Sequence, residues 1–149
     1  MIRNSVKLLL TLCILIVGGG VVANAQIDAD THVKADVPFA FVVGHSTLPA
    51  GTYEIRRLDD VNPKVLEIRN MNEHINIVFQ TVDAQTPNDE PMNTTELVFD
   101  RLGDRYFLSQ VWEIGSATGA DLPKSRMEKR LADSGIRPEG QTTVAALKH

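Results

Sequence analysis

The 149 residues carry 15 Lys/Arg against 19 Asp/Glu, a net charge of −4, so the basic footprint that a phosphate backbone requires is missing and nucleic acid is not an expected partner. A single cysteine excludes a disulfide framework, and a chain that is 43% hydrophobic has to be held together by core packing. Beyond residue 25 there is no run of the roughly 20 apolar residues that a spanning helix needs, so no transmembrane segment is expected in the exported chain.

The N-terminus reads as a cleavable secretory signal. Met1 to Lys7 carries Arg3 and Lys7 and no acid, and Leu8 to Val22 is apolar apart from Thr11 and the glycines at 18–20. Ala23 and Ala25 place small residues where a signal peptidase must accommodate them, so cleavage is expected between Ala25 and Gln26. The apolar run is short for a membrane anchor, and its glycine triplet costs about 1 kcal/mol of helix per residue relative to alanine. Cys13 follows the bulky Leu12 and lies inside the apolar run, so it belongs to the signal and not to a lipidation site. Cleavage removes the one cysteine and two basic residues, which leaves an exported chain, periplasmic or secreted, with a net charge of −6. Residues 26–120 hold seven basic residues against 15 acids, whereas residues 121–149 hold six against four.

Residues 26–120 read as a β domain. After a polar lead-in, Val33, Ala35, Val37, Phe39, Phe41 and Val43 occupy every odd position while His32, Lys34, Asp36 and Pro38 fill the early even ones, the period of a strand with one buried face. Pro38 cannot donate to a ladder, so this strand is expected at an edge or split at that point. Gly44 to Ser46 and Leu48 to Gly51 mark turns. A second strand is expected over Thr52–Leu58, with Tyr53 and Ile55 inward, and a third over Val65–Arg69, with Leu66 and Ile68 inward. Asn70 to Glu73 reverses the chain, and Ile75, Ile77 and Phe79 begin a fourth strand that runs to about Val82. Ala84–Thr95 is the longest expected loop; Leu97 and Phe99 mark a fifth strand, and Leu102-Gly103-Asp104 a hairpin. In the sixth strand Tyr106, Leu108, Trp112 and Ile114 share even positions. About six short strands predict an all-β fold, a small antiparallel sandwich or a partly open barrel.

One C-terminal helix is predicted over residues 121–135. Asp121-Leu122-Pro123 opens it, Met127 and Leu131 give it an apolar stripe, and Gly135 stops it. Lys129 and Asp133 are spaced to pair along it. Residues 136–149 are expected to be a flexible tail.

Two groups of segments carry a family resemblance. Val37-Pro38-Phe39-Ala40-Phe41-Val42-Val43-Gly44 with Leu48-Pro49-Ala50-Gly51-Thr52-Tyr53 forms the first. Gly103-Asp104-Arg105-Tyr106-Phe107-Leu108-Ser109-Gln110-Val111-Trp112 with Leu122-Pro123-Lys124-Ser125-Arg126 forms the second. Together they resemble a group of exported bacterial proteins of uncharacterised function. The resemblance implies export and a β fold, and it implies no activity.

No constellation of residues specifies chemistry. Asp28, Asp30 and His32 alternate and would share a face if extended, but a solvated lead-in explains them more simply than a metal site does. His45 and Ser46 adjoin without the surroundings of a nucleophile elbow, and a turn serine bonded to its own backbone accounts for them. Glu54, Glu67, Asp100 and Glu113 could in principle supply a glycosidase pair, although charged residues on the solvent face of strands are ordinary. Asp59-Asp60 lacks the spaced ligands of a calcium loop, and Asn93-Thr94-Thr95 matches a glycosylation sequon in a loop. Tyr53, Tyr106 and Trp112 are candidates for an aromatic binding platform, with core packing the simpler explanation. Lys124 and Arg126, with Lys129 and Arg130, are candidates for gripping an anionic partner, against a solvated helix face.

The expectation is therefore a non-enzymatic domain that acts in binding or as an envelope component, recognising a protein or other envelope partner with a sheet edge, the Ala84–Thr95 loop or the C-terminal helix, with no catalytic residue, cofactor or metal assigned. A carrier holding an apolar small molecule in a barrel interior, with the helix packed outside, is the alternative, and a secreted hydrolase the third reading.

Overall fold

The structure, a computed structural model, describes residues 32–58 and 60–149. The expected signal, with Ala23, Ala25 and Gln26, therefore lies outside the described residues, as do Asp28, Asp30 and Asp59. The first strands are β1 (His32–Val37), β2 (Phe41–Val43), β3 (Ser46–Leu48) and β4 (Gly51–Arg57). Then come β5 (Val65–Asn70), β6 (Ile75–Gln80), β7 (Val82–Gln85), β8 (Thr95–Leu102) and β9 (Arg105–Trp112). The chain ends with β10 (Thr118–Asp121), α1 (Arg126–Asp133) and β11 (Gly140–Lys148).

The protein is mostly β, with one α-helix and a single 3-10 turn at Pro87–Asp89 among the described residues, and its sheet curls into an open half-barrel. The neighbours run β3-β2-β9-β8-β11-β1-β4-β5-β6, antiparallel except for β2 against β9. β7 continues β6 after Thr81 and pairs with β10, which pairs in turn with the far half of β9. The sheet is thus stitched together at the β7–β10 end, while β6 itself ends the path with its outer edge open.

Eleven strands replace the six expected, for reasons visible in the chain. Pro38 splits the first long run into β1 and β2, as its missing N–H requires. β2 and β3 form a tight hairpin in which Val43 faces Ser46, too short to show periodicity. β7 and β10 have four residues each and are equally unreadable as alternation. The largest correction is the tail. Residues 140–148 are not frayed but form β11, between β8 and β1, with Thr142 opposite Phe99 and Val144 opposite Leu97.

The helix is also shorter than the expected 121–135. Asp121 closes β10, and Ser125 is the cap: its Oγ accepts from the Glu128 N–H at 3.1 Å, while its own N–H donates to Glu128 Oε2 at 2.6 Å. That reciprocal pair satisfies two donors that the first turn would leave bare. Gly135 takes the left-handed conformation expected of the stop, at φ +84°.

The inner face is filled by Val33, Ala35 and Val37 of β1, Tyr53 and Ile55 of β4, and Leu66 and Ile68 of β5, the alternation read from the sequence. Aromatic rings occupy the centre. Phe41 meets Tyr53 and Phe99 edge-on at 5.0 and 5.3 Å, and Phe39 meets Phe99 edge-on at 5.2 Å. A second cluster lies on the other face of the β2-β9-β8 layer, where Val42, Leu102 and Phe107 are covered by Met127 and Leu131 of α1. β2 is therefore buried on both faces.

A bulge changes the reading of β9. Val98 faces Gln110 whereas Phe99 faces Leu108, so Ser109 is an extra residue. Its Oγ donates to the Val98 carbonyl and its own carbonyl accepts from the Leu122 N–H. An inserted residue reverses which alternate positions face inward. Tyr106 and Leu108 point to the core before the bulge and Val111 after it. Trp112, expected beside Tyr106, turns to the opposite face and lies against Gly119 of β10.

Candidate functional site

Where β6 leaves the sheet open, a groove of about 560 Å³ forms between its Ile77–Gln80 stretch, the β2–β3 turn at 43–46, and the segment leading into α1. Val43, Ile77 and Phe79 supply an apolar floor. Lys124, Arg126 and Lys129 supply a cationic rim, joined by His45. No carboxylate lines it, in a body whose residues 26–120 are strongly acidic. Lys124, Arg126 and Lys129 make no ion pair with any described residue, although Glu128 is adjacent in sequence. Glu128 is buried and spent on the helix cap. The positions of the three cations follow from that cap, because Ser125 starts α1 in the middle of them.

The acids considered for catalysis are committed elsewhere. Glu54 Oε2 accepts from Arg69 at 2.8 Å and its Oε1 lies 3.3 Å from His32 Nε2. Glu67 pairs with Arg56 at 2.5 Å, Glu113 with Lys148 at 2.9 Å, and Asp100 accepts from Gln141 Nε2 at 3.0 Å. The bond from Arg69 holds the Glu54 carboxyl below its ordinary value, and the bond from Arg56 does the same for Glu67, in each case against an opposing effect of burial. A glycosidase general acid needs the opposite shift. His45 and Ser46 line the groove, but no acid accompanies them there. His32 stacks on His149 at 5.3 Å, bound into the outer face of the sheet.

The aromatic trio is not brought together. Tyr53 is buried in the core, its hydroxyl donating to the Pro49 carbonyl at 2.7 Å, and that burial pushes its pKa up. Tyr106 stacks on Phe39 at 4.1 Å, and Trp112 sits across the sheet on the other face. The 84–95 loop is tied down by bonds to the 115–117 turn, Thr86 N–H to Ala117, Met92 N–H to Ser116 and Gly115 N–H to Met92. Of the sequence candidates, Lys124 and Arg126 do converge on the groove. The β6 residues beside them were not anticipated, because periodicity marks a strand without saying whether it lies at an edge.

Smaller recesses of about 180 Å³ at the β7–β10 end and about 250 Å³ over Glu54 and Arg69 each contain carboxylates already paired with cations. Among the described residues no group of three or more His, Asp or Glu is placed to hold a metal ion, and no helix is long and apolar enough to cross a membrane. Comparison with protein-family models, curated proteins and solved structures returns no match.

Proposed function

We propose that this chain is an exported, non-enzymatic β domain that works in the cell envelope by binding a partner in the open seam beside β6. The groove there is the single observation that carries the reading: an apolar floor, a free strand edge and three unpaired cations meet, and no acid is available for catalysis or for self-neutralisation. Export is supported by the charged start, apolar run and Ala23-Asn24-Ala25 ending of the first 25 residues. The carrier reading has less support, because Phe39, Phe41, Tyr53 and Phe99 fill the centre that a ligand would need.

Position-dependent photo-crosslinking in intact cells tests the site. A crosslinking side chain at Val78, which is 51% exposed on β6, is expected to capture an envelope component. The same group at Leu147, exposed on β11 and outside the groove, is not. Equal capture at both positions, or none at Val78, refutes the seam as the binding site. N-terminal sequencing of exported protein beginning at any residue other than Gln26 refutes the cleavage position.

A further inference from the structure

Taking the seam as the binding site, we infer that its occupant is an acidic, extended chain segment that adds to β6 as one more strand. The direction of the free hydrogen-bonding groups follows from the ladders. The Thr81 N–H donates to the Lys64 carbonyl at 2.8 Å, one step beyond the pair Val65–Gln80. Bonded and non-bonded pairs alternate along an antiparallel ladder, so Ile75, Ile77 and Phe79 spend their backbone groups on β5. Those of Asn76, Val78 and Gln80 point out into the seam. The Leu58 N–H bond to the Val65 carbonyl on the other side of β5 gives the same parity.

This edge lacks the devices that keep strand edges from pairing. Ile75-Asn76-Ile77-Val78-Phe79-Gln80 contains no charge, proline or glycine, while every other described strand longer than three residues carries at least one charged residue. The opposite end of the sheet, β3, is blunted by having three residues. An undefended edge beside a groove is the arrangement by which extended peptides bind through strand addition. The acid-free rim selects the charge of the guest. A second copy of this chain, paired β6 to β6, would set two groups of Lys124, Arg126 and Lys129 along one seam with no carboxylate between them. A lipid or fatty acid would satisfy the cations and leave the three outward N–H groups unanswered.

The test uses the purified exported protein and the peptide acetyl-(Val-Glu)4-amide. Binding is expected to slow backbone amide exchange at Asn76, Val78 and Gln80 by about tenfold or more, with little change at the already bonded Ile75, Ile77 and Phe79. Acetyl-(Val-Lys)4-amide, and the acidic peptide methylated on alternate backbone nitrogens, are each expected to bind at least about tenfold more weakly. Lys124→Glu with Arg126→Glu weakens binding similarly while leaving the circular dichroism spectrum unchanged. Val78→Pro removes an outward N–H without removing a bond to β5, and abolishes binding.

No binding of the acidic peptide overturns the inference, as does equal binding of its methylated form or binding without protection at the three amides. Saturable binding of dodecanoate or phosphatidylglycerol vesicles in preference to the peptide overturns it in favour of a lipid. Concentration-dependent dimerisation lost in Val78→Pro overturns it in favour of a second copy. In each of these cases site-specific crosslinking at Val78 still stands, so the occupant fails separately from the seam.

Discussion

Gly119→Ala isolates one packing constraint and can be read by one fluorophore. A β-carbon on Gly119 would lie 2.5, 2.6 and 2.8 Å from three atoms of the Trp112 ring, whereas carbons in ordinary contact stand about 3.5–4.0 Å apart. Either the ring or β10 must retreat by about 1 Å. Neither is free to do so: Trp112 is 7% exposed with its Nε1–H donating to Gln110 at 3.0 Å, and β10 is held by β7 on one side and β9 on the other. Overpacking of this kind costs about 1–3 kcal/mol. At roughly 4 °C per kcal/mol for a chain of this size, Tm should fall by about 4–12 °C. Trp112 is the only tryptophan, so its emission should shift to the red as the ring is displaced. In a Trp112→Leu background, itself destabilised by about 2–4 kcal/mol, Gly119→Ala should cost almost nothing. The coupling from that double-mutant cycle is then about 1–3 kcal/mol. A Gly119→Ala protein with native Tm and native emission, or an equal cost in both backgrounds, refutes the reasoning.

Ser125→Ala removes the acceptor for the Glu128 N–H and should lower the urea midpoint by the equivalent of about 0.5–2 kcal/mol, because an eight-residue helix depends on its cap and on the docking of Met127 and Leu131. Ending the chain after Glu139 deletes the strand that joins β8 to β1, and thermal unfolding should lose its cooperativity; a sharp transition would show β11 to be dispensable. Acid should weaken the fold through Glu54 and Glu67. Their folded-state pKa values lie below the ordinary 4.5, so their contribution is complete above that value and is lost as pH falls through the lower folded values. Glu54→Gln with Glu67→Gln should flatten the stability curve in that window, and an unchanged curve would contradict the pairing with Arg69 and Arg56.

Local chemistry wrote part of the fold directly into the sequence. Period-two alternation placed the inward faces of β1, β4 and β5, Pro38 marked the break between β1 and β2, Gly103-Asp104 the β8–β9 hairpin, and Gly135 the helix stop. Each depends on a few neighbouring residues, so each is readable without knowing what packs against it. The cap at Ser125 was also local, in the Ser-x-x-Glu spacing to Glu128, but the proline ahead of it drew the helix start to Asp121.

Tertiary structure decided the rest, because the deciding partners are distant in the chain. β11 is built from small, weakly alternating residues and holds its place through ladders to β8 and β1, some 40 and more than 100 residues away. The bulge at Ser109 exists only against Val98, yet it sends Trp112 to the face opposite Tyr106 and dissolves the aromatic platform. The candidate site follows the same rule. Lys124 and Arg126 were visible as cations, but the groove they rim required β6 to be the last strand of the path, and edge position belongs to the sheet and not to the residues of the strand.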